Sequence, residues 1–242
     1  MLMKAVITFH NIDNDGSVIS FPREAFRDFI SSLAGSSMPC LDLDTILDPK
    51  TVEGVALTFD DGMRSVYQYA LPVLKEYAVP AHLFLTSSVI GKTNGWPGNT
   101  LEAPRYDMMD WNQIEACHSA GMRIDAHTDT HPDMRRLDNA GLERECDVTD
   151  ALIEQRLGRR PKYFAYPYGF SNTIVRTYMR DRYVASFTTE LRTLSCNDDL
   201  AALPRLDSYY LQSPTIYRRL SASPTQLYLR LRNLIRILRE SC

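Results

Sequence analysis

The sequence predicts an α/β domain whose mainly parallel sheet curls toward a barrel. Three observations predict it. Short β-prone runs recur along the 242 residues, helical patterns separate most of them, and polar residues stand just past the ends of several runs. Strand then helix, repeated, gives parallel strands with helices outside. Six or seven such repeats in one domain favour closure over an open sheet, and a closed parallel sheet gathers its strand ends on one face.

The strand-like runs lie near 4–9, 55–59, 81–86, 122–127, 162–166, 183–187 and, less sharply, 202–206. Residues 22–34 read as a helix with Pro22 in its first turn and a stop near Gly35. Residues 64–78 place Val66, Tyr69, Ala70, Val73, Leu74 and Tyr77 at helical spacing. Asp110-Trp111-Asn112-Gln113 is a capping-box pattern opening a helix that ends at Gly121. Residues 139–158 and 172–182 give two more helices. The segment 91–109, with Gly95-Trp96-Pro97-Gly98-Asn99, shows no regular pattern. A loop of that length beside a site is often functional.

Composition narrows the class. A 44% hydrophobic and 24% charged chain is ordinary for a globular protein, and a net charge of −3 gives no reason to expect nucleic acid. Cys40, Cys117, Cys146, Cys196 and Cys242 are odd in number and form no CxxC pair. They read as reduced thiols of a cytoplasmic protein. The first ten residues lack the pattern of a signal peptide, and no apolar window is long enough to span a membrane.

Two motifs carry chemistry. Asp60 and Asp61 end the apolar run Val55-Ala56-Leu57-Thr58-Phe59, and Gly62 follows. Two carboxylates at the end of a buried strand are costly unless their charge is used. Adjacent residues on an extended chain face opposite ways, so one can ligate a metal while its neighbour handles a proton. His127 and His131 stand four residues apart beside Asp125 and Asp129. Two imidazoles and a carboxylate make a three-donor site with room for water.

Thr58-Phe59-Asp60-Asp61-Gly62, His127-Thr128-x-x-His131 and Tyr166-Pro167-Tyr168-Gly169 resemble, in order and spacing, the first three motifs of the polysaccharide deacetylases. This is the NodB-homology group, carbohydrate esterase family 4, and the resemblance covers roughly residues 4–210. It implies a distorted, incomplete (β/α) barrel of about seven parallel strands. It assigns Asp61, His127 and His131 to one divalent metal ion, most simply Zn²⁺ with Ni²⁺, Co²⁺ or Mn²⁺ as alternatives. Asp60 becomes the base, and the backbone N–H of Tyr168 helps bind the oxyanion. Trp96, Tyr166 and Pro167 are assigned to the substrate, although Trp96 could equally cover the barrel edge.

The sequence also departs from that family's pattern. Ala165 stands where many members carry an arginine that orients the base, and no histidine follows His131 to serve as the late general acid. Two residues are offered as replacements. His10, at the end of the first strand, would supply the proton, its alternative being a histidine bonded to a backbone carbonyl. Arg205 would stand beside Asp60, its alternative being a surface salt bridge. His82 and His118 read as structural.

Residues 1–212 are assigned to the barrel and 213–242 to a basic amphipathic helical tail. The tail holds six arginines and one glutamate, with Leu227, Leu231, Leu234 and Leu238 in a helical stripe. Packing on the barrel or a partner subunit is expected, with a membrane surface or larger complex second. The functional expectation is a metal-dependent hydrolase removing N-acetyl groups from an amino sugar in a polysaccharide or glycan precursor. The alternatives are a deacylase or deformylase of another small amide, and a non-catalytic member that binds metal and carbohydrate.

Overall fold

The computed structural model describes residues 2–99 and 104–240. Cys242 and the stretch 100–103 of the irregular segment 91–109 lie outside the described residues. Among the described residues nine strands form: β1 (Lys4–Phe9), β2 (Asn11–Ile12), β3 (Ser20–Phe21), β4 (Gly54–Phe59), β5 (Ala81–Leu85), β6 (Arg123–Ala126), β7 (Tyr163–Ala165), β8 (Ala185–Phe187) and β9 (Leu206–Asp207). Seven make one parallel sheet in the order β8-β7-β6-β5-β4-β1-β9, while β2 and β3 pair separately. The sheet is the distorted, incomplete barrel that the family resemblance implies, open between β8 and β9 rather than closed as the count of repeats alone suggests.

One expected strand is displaced. Leu203 bridges Phe187 of β8, but pairing with β1 begins only at Leu206. Pro204 between them has no N–H to donate, and the Arg205 N–H turns to the Glu190 carbonyl at 3.0 Å. The segment 203–207 thus spans the seam between the two ends of the sheet, and Arg205 sits in its middle.

Eight α-helices among the described residues accompany the strands: α1 (Arg23–Ala34), α2 (Leu43–Leu47), α3 (Leu71–Glu76), α4 (Trp111–Ser119), α5 (Asn139–Leu157), α6 (Thr173–Arg180), α7 (Pro214–Tyr217) and α8 (Ser223–Glu240). The single helix expected over 64–78 is a wider π turn at Val66–Ala70 followed by α3. Pro72 interrupts the hydrogen-bond ladder there, which accounts for the change of pitch. The capping box of α4 forms as its sequence predicts: Asp110 Oδ1 accepts from Gln113 N–H at 2.9 Å, and Asp110 N–H donates to Gln113 Oε1 at 3.1 Å.

Strand parity divides the core. Ala5, Ile7, Phe9, Val55, Leu57, Phe59, Leu83, Leu85 and Ile124 face the helices. The intervening Val6, Ala56, Phe84, Ala165 and Phe187 fill the inside of the curl. Period-two alternation makes this division unavoidable. Leu43 and Ile46 of α2 join that inner cluster near the starts of the strands, where Leu43 N–H donates to His82 Nε2 at 3.1 Å. His82 Nδ1 meets Asp125 Oδ2 at 2.8 Å, so both ring nitrogens are used in structure.

Residues after 212 pack on the barrel. Tyr217, Leu220 and Leu229 belong to the main core cluster. The expected leucine stripe is not the packing face: Leu227, Leu231, Leu234 and Leu238 are all more than half exposed, whereas Leu229 is buried. Among the described residues, no helix is long and apolar enough to cross a membrane.

Candidate active site

The inner parity of the strands continues past their ends. Counting by twos from Thr8 reaches His10, from Thr58 reaches Asp60, and from Asp125 reaches His127. The parallel ladders also continue: Asp60 N–H donates to Phe9 O, and His127 N–H to Leu85 O, both at 2.9 Å. The strand ends therefore deliver these side chains to one mouth.

Asp61, His127 and His131 present one donor atom each, all within 4.8 Å of one another. His127 Nε2 lies 3.3 Å and His131 Nε2 3.6 Å from Asp61 Oδ1. His127 Nδ1 is 2.7 Å from the Ala165 carbonyl, which fixes that nitrogen as the N–H and turns the Nε2 lone pair to the cleft. The group that orients the His127 ring is thus a backbone oxygen rather than Asp125 or Asp129. Asp129 is taken by Ser87 at 2.6 Å, and Thr130 is held by Glu145, which steadies the loop between the histidines.

Three observations test whether these residues suit a metal ion. Asp61 Oδ1 is buried with no hydrogen-bond partner. Such an atom is costly unless a ligand takes it up. The donor set of two imidazoles and one carboxylate is that of an open divalent site. Asp61, Thr128, His131 and Tyr168 also hold positive φ values of 71°, 67°, 57° and 59°. Non-glycine residues in this region are rare and cluster at functional sites. The residues fit the group.

The charges around the triad are unequal. Burial would raise the carboxyl pKa of Asp61, but the neighbouring histidines hold it well below the usual range. Burial pushes His131 down to about 3, leaving its ring neutral. Burial also opposes protonation of His127, yet Asp61 and Asp60 bring its pKa above the ordinary value.

Asp60 faces a different partner. Arg205 is wholly buried and grips it with two parallel bonds, Nη1 to Oδ1 and Nη2 to Oδ2, each 2.7 Å. Arg205 Nε donates to the Thr188 carbonyl at 3.1 Å and Nη1 to Thr58 Oγ1 at 3.2 Å. Burial would raise the Asp60 pKa, but the guanidinium and His127 hold it below the ordinary carboxylate value. His10 Nε2 lies 3.9 Å from Asp60 Oδ2 on the open side.

His10, Asp60, Asp61, His127 and His131 line a cleft of about 250 Å³, together with Asn94, Trp96, Tyr166, Tyr168, Gly169 and Thr189; Arg205 lies behind Asp60, out of the cleft. Trp96 is only 8% exposed; its ring lies 4.2 Å from that of His131 and packs with Met63, Val89 and Met108. Tyr168 closes on His131 from another side at 4.5 Å. His131 is thus held between two aromatic rings, a role for Trp96 that its position in an irregular segment did not signal. Tyr166 borders the cleft but donates its hydroxyl to Ala201 O at 2.7 Å. Pro167 is buried and supports the turn rather than lining the cleft. The Ala165 carbonyl escaped the sequence reading, because a main-chain acceptor has no signature in residue type.

A buried carboxylate–imidazole triad at the mouth of a curled parallel sheet, beside a separately held carboxylate, is the apparatus of a hydrolytic enzyme. Residues 48–184 match the polysaccharide deacetylase family, more than half of the chain, and the protein belongs to that family of amide hydrolases. YxkH of Bacillus subtilis is 25% identical over 208 residues, covering 83% of this chain and 70% of that one. The poly-beta-1,6-N-acetyl-D-glucosamine N-deacetylase of Staphylococcus epidermidis is 26% identical over 164 residues, 63% of this chain and about half (53%) of that protein. IcaB from Ammonifex degensii shares the fold with a TM-score of 0.74 at 23% identity, over 93% of this chain and 98% of that one.

Proposed function

We propose that this protein removes N-acetyl groups from an amino sugar within a polysaccharide or glycan precursor, using one divalent metal ion, with Zn²⁺ the first choice. The observation that carries the reading is the pairing of two adjacent carboxylates with different partners: Asp61 with two histidines, Asp60 with Arg205. The family match and the activity named for the staphylococcal relative support it.

Asp61, His127 and His131 would hold the ion. When bound, it would supply positive charge for the acetyl carbonyl oxygen and bring the pKa of a water toward roughly 7. Asp60 takes the proton from the attacking water. Its bidentate bond to Arg205 keeps the carboxylate ionised and fixes its direction, at the cost of basicity. Arg205 thereby fills the place left by Ala165. The Tyr168 N–H, carried on a turn with positive φ, donates to the developing oxyanion. His10, on the open side of Asp60, gives a proton to the leaving amine. Acetate and a free amine leave.

The test is acetate release from N-acetylglucosamine oligomers by metal-loaded protein, with metal content measured by elemental analysis. Activity that tracks metal content supports the reading. Release of formate or another acyl group instead of acetate would move the substrate to a different small amide. Oligomer binding without any acyl release would make the protein a binding member of the family.

A further inference from the structure

A second, larger cavity opens next to the catalytic cleft. Its volume is about 440 Å³, and Gly169 and Thr189 line both spaces. Tyr168 borders the cleft and Phe170 the second cavity, so Tyr168-Gly169-Phe170 forms the ridge between them. Both rings are unusually open for aromatic side chains, at 41% and 37% exposure, and their centroids are 5.8 Å apart. Gly169 is required at this ridge. A Cβ there would strike the Thr189 side chain and approach its backbone N to 2.6 Å.

The far wall of the second cavity comes from α8. Asn233 and Arg236 line it, and both tie the helix to the loop after β8. Asn233 Oδ1 accepts from Leu191 N–H at 3.3 Å, and Arg236 Nη1 donates to the Thr189 carbonyl at 3.0 Å. The helix therefore builds a groove against the barrel.

The chemistry of the groove is polar but internally compensated. Arg135 pairs with Asp133, Arg192 with Glu190 and Asp198, and Asp199 with Arg180. Paired ions offer donors and acceptors while adding little net field, which suits a neutral, hydroxyl-rich ligand better than a phosphate or sulfate. Arg176 adds a donor whose Nε is held by Ser171 Oγ at 2.9 Å, and Asn197 adds an amide. The volume lies within the range of about 300–1,000 Å³ common to small-molecule sites.

The geometry points to a subsite in this groove for the sugar units adjoining the one at the metal triad, with the polymer crossing the Tyr168–Phe170 ledge. The inference rests on the deacetylase reading and extends it: the C-terminal helix is part of the substrate site. The Arg135 guanidinium lies 4.0 Å from the Phe170 centroid and covers one face of the ring, so the pyranose meets the part of Phe170 that stays exposed, while Arg176 and Asn233 hydrogen-bond its hydroxyls. Glycan that is only one unit long fills the cleft alone.

The experiment compares N-acetylglucosamine with its β-linked tetramers, of both 1,4 and 1,6 linkage, in metal-loaded wild type and in Phe170→Ala and Arg176→Ala. Binding is measured by calorimetry and turnover by acetate release, with 4-nitrophenyl acetate as a probe of the cleft. The wild type is expected to bind a tetramer at least about tenfold more tightly than the monomer, roughly the effect of one good contact. Each variant should lose most of that advantage while hydrolysing the small ester at the wild-type rate. Equal affinity for monomer and tetramers of both linkages in the wild type, or an undiminished tetramer advantage in both variants, overturns the subsite. No acetate from any sugar, with tetramer binding present in the wild type and weakened in the variants, overturns the deacetylase reading and leaves the groove standing. A variant that also loses esterase activity is replaced by Phe170→Leu or Arg176→Gln, for which the same loss of chain-length preference is expected.

Discussion

Asp60 and Asp61 are neighbours in sequence with unlike surroundings, and the difference can be measured. Asp61→Asn is expected to empty the metal site and abolish activity together, because the amide offers no anionic ligand. Asp60→Asn should keep near-normal metal content and lose turnover by about 10²–10⁴; elemental analysis beside an acetate assay separates the two. The reverse pattern would exchange their roles. A second prediction concerns pH. His131 titrates at about 3 when folded, against roughly 6.5 in an unfolded chain. Between those values the unfolded state binds the extra proton, so the metal-free protein should lose stability as pH falls from about 6.5 toward 3. His127 acts in the opposite sense, since its folded pKa is raised: its stabilisation grows as pH falls through the raised value and is full only below about 6.5. The depressed carboxyls of Asp60 and Asp61 enter lower down, where their stabilisation, present above about 3.9, is lost as pH falls through their folded values. Denaturant melts of the metal-free protein at pH 5.5, 5 and 4.5, below the range where His127 titrates, should show a steady decline, and a flat response would mean that His131 is not held neutral. The triad was legible in the sequence because its donors sit in two short motifs. The Ala165 carbonyl and the packing of Trp96 on His131 were not, since both depend on segments far apart in the chain meeting in space.

Among the elements, the turn after β7 is tightly constrained. Tyr168 and Gly169 take φ of 59° and 75°, and Gly169 packs directly on Thr189. Gly169→Ala adds both a conformational cost of about 1 kcal/mol or more and a clash that must move the ridge. The expected result is a lower melting temperature and reduced acetate release with metal content unchanged, because none of the three proposed ligands lies on this turn. Loss of the metal as well would show that the turn shapes the triad itself. The larger strands and helices were readable from period and capping signals, as the box at Asp110 and Gln113 illustrates. The β2–β3 pair was not: two-residue strands leave no periodicity to detect. The π turn before α3 had a visible cause in Pro72, but a proline in a helical pattern does not specify which irregularity follows.

For the whole molecule, α8 shows where periodicity stops being informative. Four leucines at helical spacing announce an amphipathic helix, yet the buried contact is Leu229, on another face. Polar anchors at Asn233 and Arg236 set the rotation of the helix, and hydrophobic spacing does not register them. Leu229→Ala is therefore expected to cost about 2–5 kcal/mol, while Leu231→Ala should stay within about 0.5 kcal/mol. Chemical denaturation of the two variants side by side decides which face is docked. The seam at 203–207 has a further bearing on how the protein becomes active. Arg205 and Asp60 are 145 residues apart in the chain, and they meet only when the final strand is seated against the first. Before that moment the proposed base lacks the guanidinium that fixes its direction, however complete the rest of the core. A nascent or partly refolded chain would then be chemically silent, and recovery of activity on refolding would time the arrival of the last strand rather than the collapse of the barrel.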